Sequence, residues 1–588
     1  MTLASDFDRQ ALIADLGQRA KKELAATEAD LAKTFFSHYF QRVPARDLRD
    51  ADPLELYGSA LAHLRSAQRK QPAQFQIRAF NPTDEDDEWT SRYTIVEVVA
   101  QDMAFLVDSI RMALNRLGYT IHLTIHPVIG ISRDSDHRIR AISGHSEGAQ
   151  PESFLSFRID REHRRQQLEL IESRIREALD AVAAANEDLD PMRDLALELA
   201  SSLEASPEGG GNELQNEIAS LCNWIADNNF TFLGAIHYQG ANESESPIEP
   251  DETSALGILK ARYGHDVNAR LQVLPEAIEK SFNAQELLLI TKSSKRSLVH
   301  RPAYMDVISI QHPVDSDNRQ RHTLFVGLFS ADAYNRSVTE IPVLRRKLAQ
   351  VLERSGLPAR GHGIKVLQNL VERYPRDDLF QMTEEELYQT GMGMLDLQER
   401  QRVRLFARKD RFARFYSCLV FVPRERFNSD LRERIGSALL DAFQGSGYEF
   451  NVHFSESILA RIHFIVSVGG TTPADVDLER LESAIADLAK HWPDELRHAL
   501  QERYGDRPGL DYADLWCSAF PTAYRETFNP KQGAEDVQHL EAAEKSARLV
   551  ISFEPAPGTG SASVQLTLYS PHAPVILSDI LPMIENMG

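Results

Sequence analysis

The chain has 588 residues, 42% of them apolar, 26% charged and 8% aromatic, which excludes a disordered or fibrous protein. At roughly 150 residues per domain it is about four domains long. Its net charge of −22 repels polyphosphate, so no nucleic-acid partner is expected, and no apolar run approaches the ~18 residues of a membrane span.

Residues 9–80 read mostly as helix, with an Ala/Glu/Lys-rich stretch from Arg19 to His38. This helical lead (1–85) ends in an acidic turn, Asn81 to Glu88. A different texture follows over 86–185. Tyr93–Val99 is a β-branched strand, and Asp102 is placed to cap the next helix. Met103, Leu106, Val107, Ile110, Ala113, Leu114 and Leu117 recur on one face of that helix. Gly118 stands where a left-handed residue closes a helix. Tyr119, Ile121, Leu123 and Ile125 alternate with Thr120, His122, Thr124 and His126, the pattern of a strand with one buried face. Strands at Arg138–Ser143 and Ser153–Asp160 and a helix over 163–184 complete the unit.

Residues 186–212 read as a helix and a linker, Ser206-Pro-Glu-Gly-Gly-Gly-Asn212. A module over 213–355 follows: helix Glu213–Asn228, strands Phe230–Tyr238, Leu287–Thr291, Tyr304–Gln311 and Thr323–Ser330, then helix Ile341–Arg354. Antiparallel strands flanked by helices suggest an α+β sensor-like fold. A helical connector (356–410) leads to a second copy of the earlier unit at 411–492. There Phe415–Val422 is a strand and Asn428 or Ser429 caps a helix. Gly445 and Gly447 end that helix, and two alternating strands and a helix follow. Strand–helix–strand–strand–helix with short loops folds into an antiparallel sheet with helices on one face, a ferredoxin-like arrangement. After a second helical connector (493–545), Leu549–Phe553, Ser563–Tyr569 and a helix from Leu577 begin a third copy (546–588). The chain stops where that copy's next strand should start, so it is expected to be the N-terminal part of a longer polypeptide.

Gly144-His145-Ser146-Glu147-Gly148 matches a hydrolase nucleophile elbow. That chemistry needs a following helix to stabilise the oxyanion, and the sequence leads into another strand instead. A polar hairpin loop is the expected reading. Gly361/Gly363, Gly391/Gly393 and Gly445/Gly447 lack the strand-to-helix context of a dinucleotide loop, and no phosphate loop is present. His122 and His126 share a strand face without nearby ligands at metal spacing, so no metal site is expected. Arg400, Arg402, Arg404, Arg408, Lys409, Arg411 and Arg414 interleave with Phe406 and Phe412. Base stacking would use such a mixture, but a strand pair whose arginines meet acidic neighbours accounts for it better in an acidic chain. An anion pocket for an amino-acid carboxylate stays open. Cys222, Cys418 and Cys517 are too scattered for a disulfide framework, which fits a reducing cytoplasm.

Several strings carry a resemblance. Val98-Val-Ala-Gln-Asp-Met-Ala-Phe-Leu-Val-Asp-Ser109, Tyr374-Pro-Arg-Asp-Asp-Leu-Phe380, Arg414-Phe-Tyr-Ser-Cys-Leu-Val-Phe-Val-Pro-Arg424 and Leu577-Ser-Asp-Ile-Leu-Pro-Met-Ile-Glu-Asn-Met-Gly588 resemble the N-terminal region of the large bacterial NAD-specific glutamate dehydrogenases. The resemblance runs from about residue 20 to the end. It implies ACT-like and PAS-like modules ahead of a catalytic domain, with NAD as cofactor of the parent enzyme. No catalytic or cofactor residue is placed in this chain. It also implies oxidative deamination of L-glutamate to 2-oxoglutarate and ammonium, a homo-oligomer and an amino-acid effector. ACT modules bind amino acids where the first strand meets the first helix, which here is Gln101, Asp102, Met103 and Ala104. A helix N-terminus suits a carboxylate, but this loop lacks the glycine of ligand-binding versions, so assembly is the alternative role. A stand-alone ACT/PAS-type sensor controlling a partner protein is the rival to the dehydrogenase reading.

Overall fold

The computed structural model describes residues 9–49, 51–70, 74–83, 89–143, 149–205, 213–241, 249–260, 286–313, 319–397, 400, 402–454, 457–468, 476–490, 492–555, 564–571 and 575–586. It is an α+β multidomain chain that divides into two units, Met1–Leu395 and Asp396–Gly588.

The first unit opens with helices Arg9–Glu23, Ala26–Tyr39 and Pro53–Ala67. The lead is not helical to its end. Gln76–Phe80 is a strand, β1, that pairs antiparallel with β2, Thr94–Gln101. The Ile77/Ala79 alternation carried that signal. β3 (Ile121–Ile125), β4 (Val128–Arg133), β5 (Ile139–Ser143) and β6 (Gln150–Ile159) complete a six-stranded sheet, order β1-β2-β6-β4-β5 with β3 also on β6. β3 and β4 are one strand broken at Pro127, since both run along β6. Helices Leu106–Arg116 and Arg165–Glu187 cover one face. Gly118 follows Leu117 with φ +85°, as the helix-closing reading requires. In this unit the second face is covered too. Phe35, Phe36, Tyr39 and Leu64 of the lead helices form one core with Val99, Leu123, Ile125 and Phe154.

After helices Leu189–Ala205 and Glu213–Trp224, a second sheet forms from β7 (Phe230–Ala241), β8 (Glu249–Gly257), β9 (Leu288–Arg296), β10 (Tyr304–Gln311) and β11 (Arg319–Phe329). Its order, β8-β7-β11-β10-β9, is second-first-fifth-fourth-third, the order of a PAS-type sheet. Helix Glu213–Asn228 was expected, but it ends at Trp224 in a π turn over Ile225–Asn229, where Asn228 takes φ 59°. One face of this sheet (Ile236, Tyr238, Val307, Leu324, Val326) joins Ile171, Ile175, Leu179 and Val182 in the same core as Val96, Val98 and Phe157 of the first sheet. The helix pair is thus packed between two sheets. Helices Leu344–Arg354, His362–Glu372, Arg376–Gln381 and Glu384–Leu397 close the unit.

The second unit holds β12 (Arg404–Lys409), β13 (Phe415–Pro423), β14 (Gly445–His453) and β15 (Leu459–Val468), order β12-β13-β15-β14. Helices Ser429–Ala442 and Leu478–Leu488 pack on one face. Asn428 caps the first of them, accepting the Leu431 N–H at 2.8 Å. In both copies the strand beside the first strand comes from upstream, as β1 and β12. Helices Trp492–Tyr504, Asp506–Trp516, Thr522–Thr527 and Pro530–Ser546 then lead to a hairpin of β16 (Val550–Pro555) and β17 (Val564–Tyr569), and helix Leu577–Glu585. This repeats the strand–strand–helix opening of the other two copies.

Candidate effector site

Gln101 ends β2 and Asp102 to Ala104 form the loop after it, whose geometry corrects the expected cap. The helix starts at Leu106, and the residue before it, Phe105, has φ 71° with no side-chain cap. Asp102 is engaged elsewhere. Its N–H donates to the Pro151 carbonyl at 3.0 Å, and its Oδ1 accepts the buried Ser153 hydroxyl at 2.6 Å. Ser153 Oγ also lies 3.0 Å from His126 Nε2. The single Ser153 proton is used on Asp102, so His126 donates to the serine from Nε2. A nucleophile would need the opposite flow, from hydroxyl to imidazole. Burial lowers the His126 pKa, which favours the neutral ring this arrangement uses. The trio ties the loop to β6 and to the break between β3 and β4.

Ala104 meets the unit's own second helix, and the turn and helix that follow meet the neighbouring module. Asn186 donates to the Ala104 carbonyl at 3.2 Å. The Phe105 ring lies 4.8 Å from that of His300, the His300 N–H donates to Ser109 Oγ at 3.2 Å, and Arg116 donates to the Ser297 carbonyl at 2.7 Å. Met103, Phe105 and Val107 pack on the core shared by both sheets. The first turn of the helix is thus a contact between the ACT-like and PAS-like modules.

The remaining candidates separate. His122 pairs with Asp160 at 2.7 Å while His126 bonds Ser153. These partners sit at opposite ends of β6, so the two histidines form no shared site. Among the described residues no group of three or more His, Cys, Asp or Glu could hold a metal ion. Ser146 and its flanking glycines lie outside the described residues, as does the linker 206–212. Gly391 and Gly393 sit inside helix Glu384–Leu397, Gly361 caps helix His362–Glu372 after a preceding helix, and Gly445 and Gly447 begin β14. The basic segment is a strand pair with acidic partners. Arg404 meets Glu482 at 2.9 Å, and Arg414 grips the buried Asp410 through Nε at 2.8 Å and Nη2 at 3.0 Å.

Sequence reasoning also missed what Tyr374-Pro-Arg-Asp-Asp-Leu-Phe380 does. Asp377 accepts from the Tyr334 hydroxyl at 2.7 Å and meets Lys292 Nζ at 2.9 Å. Lys292 also meets Asp306 at 2.7 Å, and Phe380 stacks on Phe329 at 4.3 Å. Two carboxylates hold buried Lys292 charged, raising its pKa. Burial raises the Asp306 pKa, and the Lys292 ammonium opposes that rise. The string is a clamp that fastens the connector helices to the PAS-like sheet.

Two ferredoxin-like sheets, the opening of a third and, between the first two in chain order, a PAS-type sheet define a chain of ACT-type modules. Five family models match it: Glutamate dehydrogenase, ACT1 domain over 35–175; helical motif 1 over 341–400; ACT2 domain over 404–493; helical motif 2 over 499–543; and ACT3 domain over 548–588. The chain belongs to the large NAD-specific glutamate dehydrogenases, as their N-terminal ACT-domain region. It is 36% identical over 594 residues to an NAD-specific glutamate dehydrogenase of Halomonas elongata, covering 100% of this chain and 37% of that protein. It is 33% identical to one from Pseudomonas aeruginosa, covering 99% and 36%. It is 27% identical to one from Mycobacterium tuberculosis, covering 84% and 30%. The chain therefore spans about a third of the length of these relatives.

Proposed function

We propose that this chain is the regulatory and assembly region of an NAD-dependent glutamate dehydrogenase, which converts L-glutamate, NAD and water to 2-oxoglutarate, ammonium and NADH. NAD and the catalytic residues belong to a domain outside these 588 residues, and the enzyme works in the cytoplasm as a homo-oligomer. The observation that carries this reading is the order of three ACT-domain matches and two helical-motif matches along the chain, all to the same enzyme family. The loop Gln101–Ala104 is held by its own unit in this reading, through Ser153 and Asn186, while the turn that follows it, at Phe105, carries the module contact with His300. Regulation then acts by a ligand or neighbouring copy that prefers one arrangement of modules, since equal affinity for two states shifts nothing. Incubating the purified chain with L-glutamate and NAD tests the claim. No NADH should form, and turnover by these 588 residues alone would overturn it.

A further inference from the structure

Helix Leu344–Arg354 begins on a strained turn, and the cause is local. The ring of Pro342 fixes its own φ at about −65° and keeps the residue before it extended; Ile341 has φ −92° and ψ 119°. The change of direction into the helix therefore falls on Val343, which takes φ 68° and ψ −45°. Among the described non-glycine residues with positive φ, Val343 alone is β-branched. A side chain branched at Cβ crowds the backbone in that region, so the conformation costs energy. Its surroundings hold it there. The side chain is 4% exposed, and the Val343 N–H donates to Glu217 Oε2 at 2.8 Å. Glu217, on helix Glu213–Trp224, also takes the Arg345 guanidinium, with Nε at 2.9 Å and Nη2 at 2.8 Å from Oε1.

The strain sits where helical motif 1 starts. That motif matches 341–400 and the first unit ends at Leu395, so in chain order the motif leads from one unit to the next. Its first half is tied into one piece. Lys347 Nζ donates to the carbonyls of Leu379, Phe380 and Met382 at 3.0, 3.0 and 2.7 Å, and Arg346 donates to Glu384 at 2.7 Å. Carboxylates fasten that piece to the chain before it. Glu217 holds its start, Glu372 accepts the Val338 N–H at 2.9 Å, and Asp377 meets Lys292 of β9 and Tyr334. Stacking of Phe380 on Phe329 adds to the hold. The outer two latches reach solvent, with 16% of the Glu217 side chain and 40% of that of Asp377 exposed. Water can therefore replace their partners when they let go.

We infer that Val343 is a strained hinge. Helical motif 1 has a second arrangement in which Glu217 has released Val343 and Arg345, Val343 has returned to negative φ, and residues 344–382 have swung off the PAS-like sheet as one body. The strain is relieved there, which lowers the cost of reaching it. This deepens the regulatory reading by naming the element that moves, and it rests on that reading only for its purpose. Amide hydrogen exchange on the 588-residue chain tests it. Glu217→Gln keeps an acceptor for the Val343 N–H and removes the charge that holds Arg345. It should speed exchange of the protected amides in 344–382 by one common factor of at least about tenfold, with β7, β10 and β11 unchanged. Asp377→Asn, at the other latch, should speed the same amides. Speeding confined to the first turn after Val343, or shared by the sheet, would overturn the hinge. The strain has its own test. Val343→Gly and Val343→Ala both lose the buried side chain, and at negative φ alanine protects a helix better than glycine. Here glycine should protect helix Leu344–Arg354 better than alanine, by at least about threefold. The reverse order would overturn the strain. Exchange is read without substrate, so NADH formation by the chain alone would sink the regulatory reading and leave the hinge standing.

Discussion

The first and second ACT-type sheets share an order and an upstream edge strand, yet their outer faces differ. β6 is buried without interruption from Glu152 to Ile159, because helices Ala26–Tyr39 and Pro53–Ala67 lie on the face opposite helices Leu106–Arg116 and Arg165–Glu187. β15, in the same central position, alternates, with Ile462, Phe464 and Val466 buried and Arg461, His463, Ile465 and Ser467 half-buried. Among the described residues, its core draws on helices Ser429–Ala442 and Leu478–Leu488 alone. The repeated unit therefore fixes one face, and the fate of the other depends on what the chain adds outside the repeat.

The largest expected effect compares a covered residue with a half-buried one. Phe154 is fully buried, with the Phe35 ring at 5.0 Å and that of His63 at 5.3 Å. Phe154→Ala should cost about 3–5 kcal/mol of unfolding free energy. Ile465→Ala in the second unit should cost only about 1 kcal/mol, since part of that side chain is already in water. Denaturant unfolding of both variants measures the difference, and equal losses would show that the lead helices are not packed core.

The next effect probes how the lead helices dock. Arg158 points to that face with 8% of its side chain exposed and meets Glu55 of helix Pro53–Ala67 at 3.3 Å. Arg158→Met leaves a part-buried carboxylate without its cation and should cost about 3 kcal/mol. Glu55→Gln in the same chain should recover part of that loss in a double-mutant cycle. Independent, additive losses would remove this pair from the account of docking.

These residues show how far the sequence could be read. Helix Leu106–Arg116, Gly118 and the alternation of β14 and β15 were legible because each rests on local periodicity. The strand Glu249–Gly257 was not, since Glu-Pro-Asp-Glu-Thr-Ser has neither alternation nor β-branched enrichment. β2 carries Glu97 and β6 carries Arg158, both buried, because Arg78 of β1 meets Glu97 at 3.5 Å and Glu55 of the lead helices meets Arg158 at 3.3 Å, partners no local pattern shows. Asp102 failed as a cap for the same reason, because its tertiary partner Ser153 outcompeted the local one. The contact of Phe105, just after the candidate loop, with the His300 loop had no local signal.

Acid should act on the covered face with a definite sign. Burial lowers the His63 pKa from 6.5 to about 3, and its Nδ1 lies 3.0 Å from the Tyr39 hydroxyl. Between those values the unfolded chain binds a proton that the folded chain refuses. Stability is therefore full above pH 6.5 and falls as pH drops toward 3, by up to ~1.4 kcal/mol per pH unit for this group. His237, His312 and His322 of the PAS-like sheet, also lowered by burial, add slopes of the same sign. Denaturation midpoints at pH 7 and pH 5 should show the loss, and His63→Gln should reduce the slope by about one proton. An unchanged slope would show that His63 accepts a proton in place.

The smallest effect belongs to the open copy. Arg404 and Glu482 sit at the margin of β12 with 41% and 23% of their side chains exposed, 2.9 Å apart. Solvent screens such a pair, and holding two long side chains together costs entropy, so Arg404→Gln should change stability by less than ~1 kcal/mol. Glu482 keeps the Leu405 N–H at 2.8 Å in any case. The same variant separates the two accounts of the basic segment. If the arginines serve the strand pair, the parent chain should show no salt-sensitive retention on single-stranded DNA, and the variant should behave identically. Retention that falls with salt and drops further in Arg404→Gln would return the segment to nucleic-acid binding, and the half-buried outer face of β15 would then need reading as part of that surface.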